Sequence, residues 1–368
     1  MKNKIIRSVG IAVMLCLWLG LAITAWLRPS DEISISERRQ LAQFPAFSGQ
    51  SILDGDFMSE FENYTLDQFP LRDQFRKLKA WFQYEVLNQK DNNGIFISQG
   101  YAAQVEYPLN ENSVKNAVKK FNELYETYMK DSGSTVFTAV IPDKNYYLSR
   151  QDGGLAMDYE ALFSLIREGM PYSSYVNLTD SLMLEDYYYT DTHWRQERLL
   201  LAAQKLCEAM GISTPKMENY TVTTATETFF GVYYGQAALP MDPETLYILE
   251  SDMLADCKVY NYETNMTTPV YDLKKLDGND PYDVYLSGAA ALLTIENPNS
   301  ETDRELIVFR DSFGSSMIPL LVQGYERVTV VDTRYIAGST LGEFIDFHGQ
   351  DVLFLYSTLV LNNSYSMK

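Results

Sequence analysis

Apolar residues along the chain follow two spacings, one typical of buried strands and the other of helices. Short continuous apolar runs, which suit strands buried on both faces, occur at 135–141, 306–309, 328–331 and 351–356. Helical spacing of apolar residues predicts helices at 113–130, 159–168, 195–210 and 315–323. This order of strands and helices predicts an α/β domain built on a parallel sheet.

The N-terminus has the pattern of a membrane span. Lys2, Lys4 and Arg7 precede an uncharged run at 9–27, which as a helix would be about 28 Å long and would cross a bilayer. The basic residues place the N-terminus in the cytoplasm and the remainder of the chain outside. A cleaved signal peptide is the alternative, but the run is long and ends without a small-x-small cleavage site. We therefore predict that residues 1–28 form a cytoplasmic tip and a transmembrane anchor, or an uncleaved signal.

Residues 29–100 are predicted to form a membrane-proximal helical lead-in. Two groups of large side chains repeat there at helical spacing, separated by Pro70, and we predict that both face a core. They are Phe57, Phe61 and Tyr64, followed by Leu71, Phe75, Leu78 and Phe82.

The main domain is predicted to occupy residues 101–368, with residues 94–97 leading into it as its first strand. Periodicity weakens at about 212–300, which predicts an irregular insertion that carries substrate contacts or forms a small subdomain. Short β-like segments within it lie at 221–224, 229–234 and 282–286.

Composition excludes some classes of partner. The chain of 368 residues carries a formal charge of −19, which argues against nucleic acid and against broad adhesion to an anionic surface. Aromatic residues make up 13% of the chain, a content compatible with sugar-stacking surfaces and equally with ordinary core packing. Of the three cysteines, Cys16 lies in the apolar N-terminal run, and the sequence leaves open whether Cys207 and Cys257 pair.

The predicted strand at 306–309 is followed by a sharp turn that carries Ser312. Reactive groups in parallel α/β sheets collect beyond the carboxyl ends of the strands, where this serine is predicted to lie. Its backbone N–H would then lie near a helix N-terminus that can receive an oxyanion. Asp311 and Ser312 are also ordinary helix-capping residue types, so this turn does not by itself establish a nucleophile.

A serine nucleophile needs a base, and the chain has two histidines. His348 is interpreted as a partly exposed histidine without a catalytic role. His193 follows Asp191 at a spacing that in extended backbone places both side chains on one face, so the carboxylate could orient the imidazole towards Ser312. The alternative is a hydrogen-bonded pair that caps the following helix. A metal site is disfavoured, because these two ligands have no third histidine or cysteine at suitable spacing.

Further residues are candidates for substrate binding because they follow predicted strands or belong to the tyrosine-rich stretch around His193. They are Lys144, Tyr146, Tyr189, Trp194 and Arg334. Lys144 and Tyr146 follow the strand at 135–141, in the kind of loop where α/β folds place binding residues, although a solvated turn is the simpler interpretation.

The most specific signal is an ordered set of motifs. They are Glu37-Arg-Arg-Gln-Leu-Ala-Gln-Phe-Pro45, Asp67-Gln-Phe-Pro-Leu-Arg72, Asp191-Thr-His193-Trp194, Arg310-Asp-Ser312-Phe-Gly314, Val331-Asp-Thr-Arg334-Tyr335 and Asp351-Val-Leu-Phe-Leu-Tyr356. Together they resemble the DHHW family of exported bacterial proteins, which is similar to the SGNH-like alginate O-acetylation proteins. The resemblance covers nearly the whole exported chain.

This resemblance implies a flavodoxin-like SGNH fold with a three-layer parallel sheet, and Ser312 as nucleophile, His193 as base and Asp191 as the residue that orients it. It implies a single-pass membrane protein with an extracellular or periplasmic catalytic domain. The implied activity is transfer of an acetyl group, through a serine acyl-enzyme and without a cofactor, to a hydroxyl of a cell-surface or exported polysaccharide. A membrane-bound O-acyltransferase would supply the acetyl groups. The alternatives are an SGNH-type carbohydrate esterase and a non-catalytic glycan-binding or assembly scaffold.

Three positions depart from the family pattern. Thr192 replaces a histidine that is not the base, and Arg310 stands where family members often have lysine. Ala289 lies where SGNH enzymes often have the asparagine that provides a second oxyanion donor. We therefore expect the backbone N–H of Gly288 to act together with that of Ser312.

Overall fold

The computed structural model describes residues 2–34 and 36–368, except for the side chains of residues 2–4 and 152. Its α-helices are α1 (Lys2–Leu27), α2 (Gly49–Leu53), α3 (Asp56–Asp67), α4 (Arg72–Trp81), α5 (Glu111–Leu124), α6 (Lys144–Asp152), α7 (Tyr159–Gly169), α8 (Leu200–Met210), α9 (Val232–Ala237), α10 (Asp252–Asp256), α11 (Gly314–Met317) and α12 (Thr358–Asn362). Its strands are β1 (Ile33–Ser34), β2 (Arg39–Gln40), β3 (Ile95–Ser98), β4 (Tyr101–Gln104), β5 (Thr135–Ile141), β6 (Ser174–Asn177), β7 (Thr221–Phe229), β8 (Glu244–Glu250), β9 (Lys258–Asn261), β10 (Met266–Thr268), β11 (Leu292–Glu296), β12 (Glu305–Arg310), β13 (Arg327–Val331) and β14 (Asp351–Ser357).

The chain divides into two compact units. The N-terminal unit contains Met1–Asn93 together with Tyr234–Pro240, and the main unit contains Gly94–Tyr233 and Met241–Lys368. Cys207 and Cys257, whose pairing the sequence leaves open, are both buried free thiols in the main unit.

An eight-stranded sheet forms the centre of the main unit, in the order β10-β9-β11-β13-β12-β14-β5-β6. The segment from β13 to β6 is parallel, as its registers show, so the predicted α/β class is confirmed. The antiparallel strands β9, β10 and β11 extend one side of the sheet. They come from the stretch at 212–300, so part of that stretch belongs to the main sheet. Of the short segments predicted there, 221–224 lies in β7, which pairs with β8 in a separate hairpin, and 282–286 begins in a 3₁₀ turn.

Side chains of the central strand β12 alternate between two cores. Leu306 and Val308 lie in a cluster that includes α8, whereas Ile307 and Phe309 lie in a second cluster that includes α5 and α7. Burial of each such side chain stabilises the fold by about 1.5–3 kcal/mol, so the uninterrupted apolar run requires cover on both faces. This packing fixes β12, and with it the turn that carries Ser312, at the middle of the sheet.

Three local predictions for the main unit need correction. The predicted strand at 94–97 is β3, which pairs with β4 in a separate hairpin and not with the main sheet. The predicted loop after β5 is helix α6, because the Asp143 side chain accepts a hydrogen bond from Asn145 N–H and caps it. The predicted helix at 315–323 is only the short α11 followed by 3₁₀ turns, with Pro319 in the first of them.

The N-terminal unit begins with α1, in which Ile5–Leu27 is 23 residues long and has a mean hydropathy of 2.2. By length and composition this segment can cross a membrane, a property that anchors and signal sequences share. The first predicted stripe of the lead-in forms an aromatic cluster, since Phe57, Phe61 and Tyr64 contact the ring of Phe44 edge-on, but the three side chains are only half-buried and Phe44 is exposed.

The second predicted stripe of the lead-in does not face a core. The apolar side chains of this stripe, on and around α4, are exposed to solvent. They belong to Leu71, Phe75, Leu78 and Phe82. Helical spacing reveals that a helix is amphipathic, but α4 packs against the rest of its unit through the side opposite the apolar stripe, where Ala80 is fully buried.

Candidate functional site

Ser312 lies in a turn directly after the carboxyl end of β12, and its side chain is partly exposed. Asp311 holds this turn in place. One carboxylate oxygen of Asp311 accepts a hydrogen bond from Phe313 N–H at 3.0 Å, and the other accepts bonds from the backbone N–H and the hydroxyl of Ser357 at 2.7 and 2.6 Å. Because Ser357 ends the neighbouring parallel strand β14, the turn is tied to two adjacent strands of the sheet.

The structure brings His193 to this turn from 119 positions away in the sequence. Its Nε2 atom lies 2.8 Å from the Ser312 hydroxyl oxygen, and its Nδ1 atom lies 2.6 Å from Asp191 Oδ1. The same Asp191 oxygen accepts the backbone N–H of His193 at 2.9 Å. Carboxylate, imidazole and hydroxyl therefore stand in the hydrogen-bonded order that activates a serine in Ser-His-Asp hydrolases.

Aromatic rings hold the imidazole in this orientation. The Tyr282 ring stacks on His193 with ring centroids 3.9 Å apart and an angle of 8° between the planes, and Phe313 contacts it from 4.9 Å. The Tyr282 hydroxyl hydrogen-bonds to Ser316 Oγ at 2.7 Å, and burial raises the pKa of Tyr282 well above its usual range. The stacked Tyr282 ring thus fixes the plane of the imidazole between Asp191 and Ser312.

Asp191 is positioned by the segment between β7 and β8. Its second carboxylate oxygen accepts the backbone N–H of Val232 at 2.8 Å, and the neighbouring Thr190 hydroxyl accepts that of Gly231 at 2.8 Å. A Cβ atom on Gly231 would come within 2.2 Å of the backbone of Asp191. The close approach of these two backbones, which glycine alone permits, brings the Val232 N–H to the carboxylate.

Replacing Gly231 with alanine is expected to lower both activity and stability. The added methyl group must displace the backbone of Asp191, and overpacking of this kind costs about 1–3 kcal/mol of unfolding free energy. Thermal unfolding and the rate of Ser312 labelling by a sulfonyl fluoride measure the two effects. Gly154→Ala, where the nearest atom to the new Cβ lies at 4.0 Å, is the matched control and should change neither. A Gly231→Ala chain that labels and unfolds like the unaltered protein would contradict this reading of the contact.

Two charged residues, the buried Lys144 and the half-buried Glu244, hold the backbone that leads into Asp191. The Lys144 ammonium donates hydrogen bonds to the carbonyl oxygens of Tyr188 and Tyr189 at 2.8 and 3.4 Å. Glu244 accepts bonds from the N–H groups of Tyr189 and Thr190 and from the Thr190 hydroxyl, all at 2.6 Å. Opposite charges therefore bind the carbonyl and amide groups of one short segment, which fixes the start of the Asp191–His193 turn.

Lys144 makes the stability of the fold depend on pH. Burial lowers its pKa to about 7 from an ordinary 10.5, although Glu244, Asp191 and Asp143 raise it in part. Between these two pH values the unfolded chain binds a proton that the folded chain has lost, so stability rises with pH. We expect the thermal midpoint of the protein, measured relative to that of Lys144→Met, to increase from pH 6 to pH 9.5.

The control for this prediction is Lys115→Met, because Lys115 is exposed and pairs only with Glu111 four residues earlier on α5. The difference in thermal midpoint between Lys115→Met and the unaltered protein should not change over the same pH range. If the difference in thermal midpoint between the unaltered protein and Lys144→Met also stayed constant, the Lys144 ammonium would not be desolvated, which would contradict the burial seen in the structure.

Gly288 does not stand ready as an oxyanion donor, which corrects the sequence-based expectation. Its backbone N–H donates to the carbonyl oxygen of Tyr285 at 3.1 Å, and its own carbonyl accepts from the Arg310 guanidinium at 3.2 Å. Arg310 is fully buried, and burial lowers its pKa while the nearby Asp332 raises it. In the described part of the chain the Ser312 backbone N–H has no hydrogen-bond acceptor, so it is the donor that remains available at the turn.

The remaining candidates for substrate binding lie in different environments. Trp194 is fully buried beneath the turn, where its indole N–H donates to Phe313 O and Ser316 Oγ, so it supports the serine from behind. Tyr146 packs in the core, and Lys144 binds backbone, so neither side chain faces solvent. Arg334 is partly exposed and is bound by both oxygens of Asp332, at 2.9 and 2.7 Å.

Tyr189 is the candidate that a ligand can reach. The residue is 41% exposed, and its ring lies against that of Tyr101 with centroids 4.2 Å apart and an angle of 32° between the planes. Sugar rings bind to aromatic faces of this kind, so the residue stays a candidate for substrate contact.

Several residues that build the site were not found from the sequence. Tyr282, Gly231 and Glu244 all come from the stretch in which periodicity weakens, where nothing indicates proximity to Asp191 and His193. Asp311 was recognised as a capping residue type, and it does cap the turn, but its bonds to Ser357 depend on sheet order. Among the residues that the structure describes, no group of three or more His, Cys, Asp or Glu could hold a metal ion.

Comparison with known proteins supports the resemblance seen in the sequence. Residues 173–331, which include Asp191, His193 and Ser312, match the family model described as DHHW protein, and this confirms the resemblance to that family. No curated protein matches the chain.

Solved structures are similar to the chain over most of its length. A DHHW family protein from Eubacterium siraeum is 21% identical, with a TM-score of 0.61 over 75% of this chain and 95% of that one. PatB1 of Bacillus cereus is 18% identical, with a TM-score of 0.61 over 73% of this chain and 96% of that one, and a second structure of it holds a sulfonyl adduct. The O-acetyltransferase domain of Pseudomonas putida AlgJ is more distant, at 14% identity and a TM-score of 0.42 over 68% and 84% of the two chains. At these identities the likenesses to the Eubacterium siraeum protein and to PatB1 show the fold alone.

Proposed function

We propose that this chain is an exported O-acetyltransferase that carries an acetyl group on Ser312 and delivers it to a hydroxyl of a cell-surface or exported polysaccharide. The observation that carries the proposal is the continuous line of hydrogen bonds from Asp191 through His193 to Ser312, at 2.6 and 2.8 Å. Residues 173–331 match the DHHW family model, and the resemblance of that family to the alginate O-acetylation proteins is what favours acetyl transfer as the reaction.

The first half of the reaction loads the enzyme. His193 Nε2 takes the proton of the Ser312 hydroxyl as the serine oxygen attacks the carbonyl carbon of an acetyl ester or thioester. The tetrahedral intermediate collapses when the bond to the donor's leaving oxygen or sulfur breaks, and that group takes the proton from His193. Asp191 keeps the proton of the neutral imidazole on Nδ1 and stabilises the imidazolium that forms.

The second half of the reaction transfers the acetyl group from Ser312 to the acceptor. A sugar hydroxyl gives its proton to His193 Nε2 and attacks the acetyl carbon, the bond to the serine oxygen breaks, and Ser312 recovers the proton. The Ser312 N–H donates to the oxyanion in both halves, a contribution on the order of 3 kcal/mol for one donor. The exposed Tyr189 ring provides a surface on which an acceptor sugar can stack.

We further propose that α1 anchors the chain in the membrane, with the main unit outside the cytoplasm. Lys2, Lys4 and Arg7 precede the apolar segment, which places the N-terminus inside. A membrane-bound O-acyltransferase would then supply acetyl groups across the membrane. The net charge of −19 favours a neutral acceptor polysaccharide, since an anionic one would be repelled.

Product analysis tests the proposal against its alternatives. The purified chain is incubated with 4-nitrophenyl acetate and neutral oligosaccharides, and mass spectrometry measures acetylated oligosaccharide beside free acetate. After subtraction of the enzyme-free background, the proposal predicts acetylated oligosaccharide in excess of acetate, and a roughly 10⁴-fold or greater loss of both products in Ser312→Ala. Acetate alone would identify an esterase, because water would have replaced the sugar hydroxyl in the second step. Absence of donor cleavage would leave the non-catalytic scaffold.

A further inference from the structure

Helix α4 carries its apolar side on the outside. Leu71, Phe75, Leu78 and Phe82 follow one another at intervals of four, three and four residues, so they form a single stripe along the helix and its continuation. Each of these side chains is between 45 and 57% exposed. Ala80, which points to the opposite side at 100° per residue, is fully buried.

Polar bonds fix α4 in this inverted orientation. On its packed side Asp73 accepts a hydrogen bond from the Ser36 hydroxyl at 3.1 Å, and Arg76 donates to the carbonyl oxygen of Gly235 at 2.7 Å. Arg72 and Arg76 also form ion pairs with Glu37. Turning the helix to bury its apolar stripe would break all of these bonds, so the exposure of the stripe is built into the unit.

The stripe continues into a larger apolar surface. Further apolar side chains that are 40 to 53% exposed lie next to the stripe in the sequence, before it, within its span and after it, and they are Phe69, Trp81, Val86 and Leu87. The ring of Phe69 contacts that of Phe75 edge-on at 5.6 Å. A contiguous apolar surface of this kind on an exported protein marks a place where something else binds.

The position of this surface along the chain indicates what covers it. Asp31, four residues beyond the end of α1, exchanges two hydrogen bonds with the Gln68 side chain, at 2.9 and 2.8 Å. Four residues reach at most about 14 Å, so Asp31 lies within that distance of the end of the apolar helix, and the Gln68 side chain that it binds directly precedes Phe69 and the start of the stripe. The stripe therefore begins at the level where α1 would leave the bilayer.

The polar flanks of α4 fit the same location. Lys77 and Lys79 are exposed on either side of the stripe, and basic residues outnumber the single acid, Asp73, in this helix. Helices that lie in a membrane interface combine Trp, Phe and Leu on one face with Lys and Arg on the other. This local excess of basic residues stands out in a chain whose overall charge is −19.

We propose that α4 lies in the outer interface of the membrane that α1 spans, with Leu71, Phe75, Leu78 and Phe82 among the lipid acyl chains near the headgroups. The N-terminal unit is then held to the membrane at two places, a spanning helix and a helix in the surface plane. The inference depends on α1 as an anchor and not on the acyl chemistry of Ser312.

Site-specific fluorescence in vesicles tests the proposal. The full chain with Cys16→Ser, in which Cys207 and Cys257 remain buried, is given Leu78→Cys or Lys77→Cys, labelled with an environment-sensitive fluorophore and reconstituted into phosphatidylcholine and phosphatidylglycerol vesicles. These two positions are one helix residue apart, but they point 100° apart around the axis. Flotation after an alkaline wash verifies insertion, and circular dichroism with thermal unfolding verifies that each variant is folded.

At position 78 we expect several-fold stronger quenching by nitroxide-labelled lipid, and several-fold weaker quenching by aqueous iodide, than at position 77. Equal access of iodide to both positions would overturn the proposal. Protection of position 78 from both quenchers would also overturn it, because a second copy of the chain would then cover the stripe. A chain that the alkaline wash removes from the vesicles would refute the anchor, and with it this inference, while leaving the proposed acetyl transfer unaffected.

Discussion

Replacing Ser312 with alanine is expected to reduce acetyl transfer roughly 10⁴-fold or more, since removing the nucleophile of an Asp-His-Ser set abolishes the covalent route. The His193 imidazole and the turn should remain in place, because Asp311 and not the serine hydroxyl makes the bonds that tie the turn to β14. Residual donor cleavage would come only from the oxyanion donor and substrate binding. Initial rates of 4-nitrophenol release measure the loss.

Ser315→Ala is the matched control for this prediction, because it removes a hydroxyl from the helix that follows the same turn. Its rate should stay within a few-fold of the unaltered protein. Thermal unfolding of Ser312→Ala should give an unchanged midpoint. A Ser312→Ala chain that keeps a tenth or more of the activity would show that the serine is not the acetyl carrier.

Replacing Asp191 with asparagine is expected to lower the rate about 10⁴-fold, as loss of the orienting carboxylate does in Ser-His-Asp hydrolases. Oδ1 of Asp191 faces both the backbone N–H and Nδ1 of His193, and Oδ2 faces the N–H of Val232. An amide NH₂ placed towards His193 would force the proton of the neutral ring onto Nε2. The nitrogen that faces Ser312 would then carry a proton and could not accept the one from the serine hydroxyl.

The opposite orientation of the asparagine does not avoid the loss. Its NH₂ would then meet the Val232 N–H, so two buried donors would lie against each other, at a cost of about 1–3 kcal/mol. The carboxylate charge that stabilises the imidazolium would be absent in either case. Steady-state rates and the pH profile of Ser312 labelling measure these effects.

Asp186→Asn provides the control, since this acid lies in the same stretch and accepts only the Met183 N–H through an oxygen that asparagine retains. We expect it to change the rate by less than a factor of five. Equal rates for Asp191→Asn and the unaltered protein would contradict an orienting role for the carboxylate.

The parts of the site that sequence reasoning reached are those with local signals. The apolar run of β12 is continuous because both faces are buried, and a turn after such a strand predicts an exposed side chain at Ser312. The spacing of Asp191 and His193 places two groups on one face without any knowledge of the fold. Both signals are properties of a few consecutive residues.

The parts that sequence reasoning missed depend on contacts between distant segments. Strands β9, β10 and β11 are short, and only their pairing beside β13 makes them part of the sheet. Tyr282 reaches His193, and Gly231 reaches Asp191, through segments with weak periodicity, so no local pattern could connect them. The expectation for Gly288 was wrong for the same reason. Its backbone N–H donates to the carbonyl oxygen of Tyr285 within a turn, and the sequence does not show that this hydrogen bond forms.

The prediction for the second stripe of the lead-in was wrong for a different reason. The spacing of Leu71, Phe75 and Leu78 identified an amphipathic helix correctly, but periodicity does not say whether the apolar side meets protein or lipid. The motif residues Glu37 and Arg72 pair with each other on the packed side of α4, and this ion pair is what turns the stripe outward.

Covalent labelling of Ser312 tests the central claim most directly. The purified protein is treated with phenylmethylsulfonyl fluoride near neutral pH, and the modified residue is located by mass spectrometry. The account predicts a single sulfonyl adduct on Ser312, formed at least about 100-fold more slowly in His193→Ala because the base is lost. An adduct elsewhere, no adduct, or an unchanged rate in His193→Ala would contradict it.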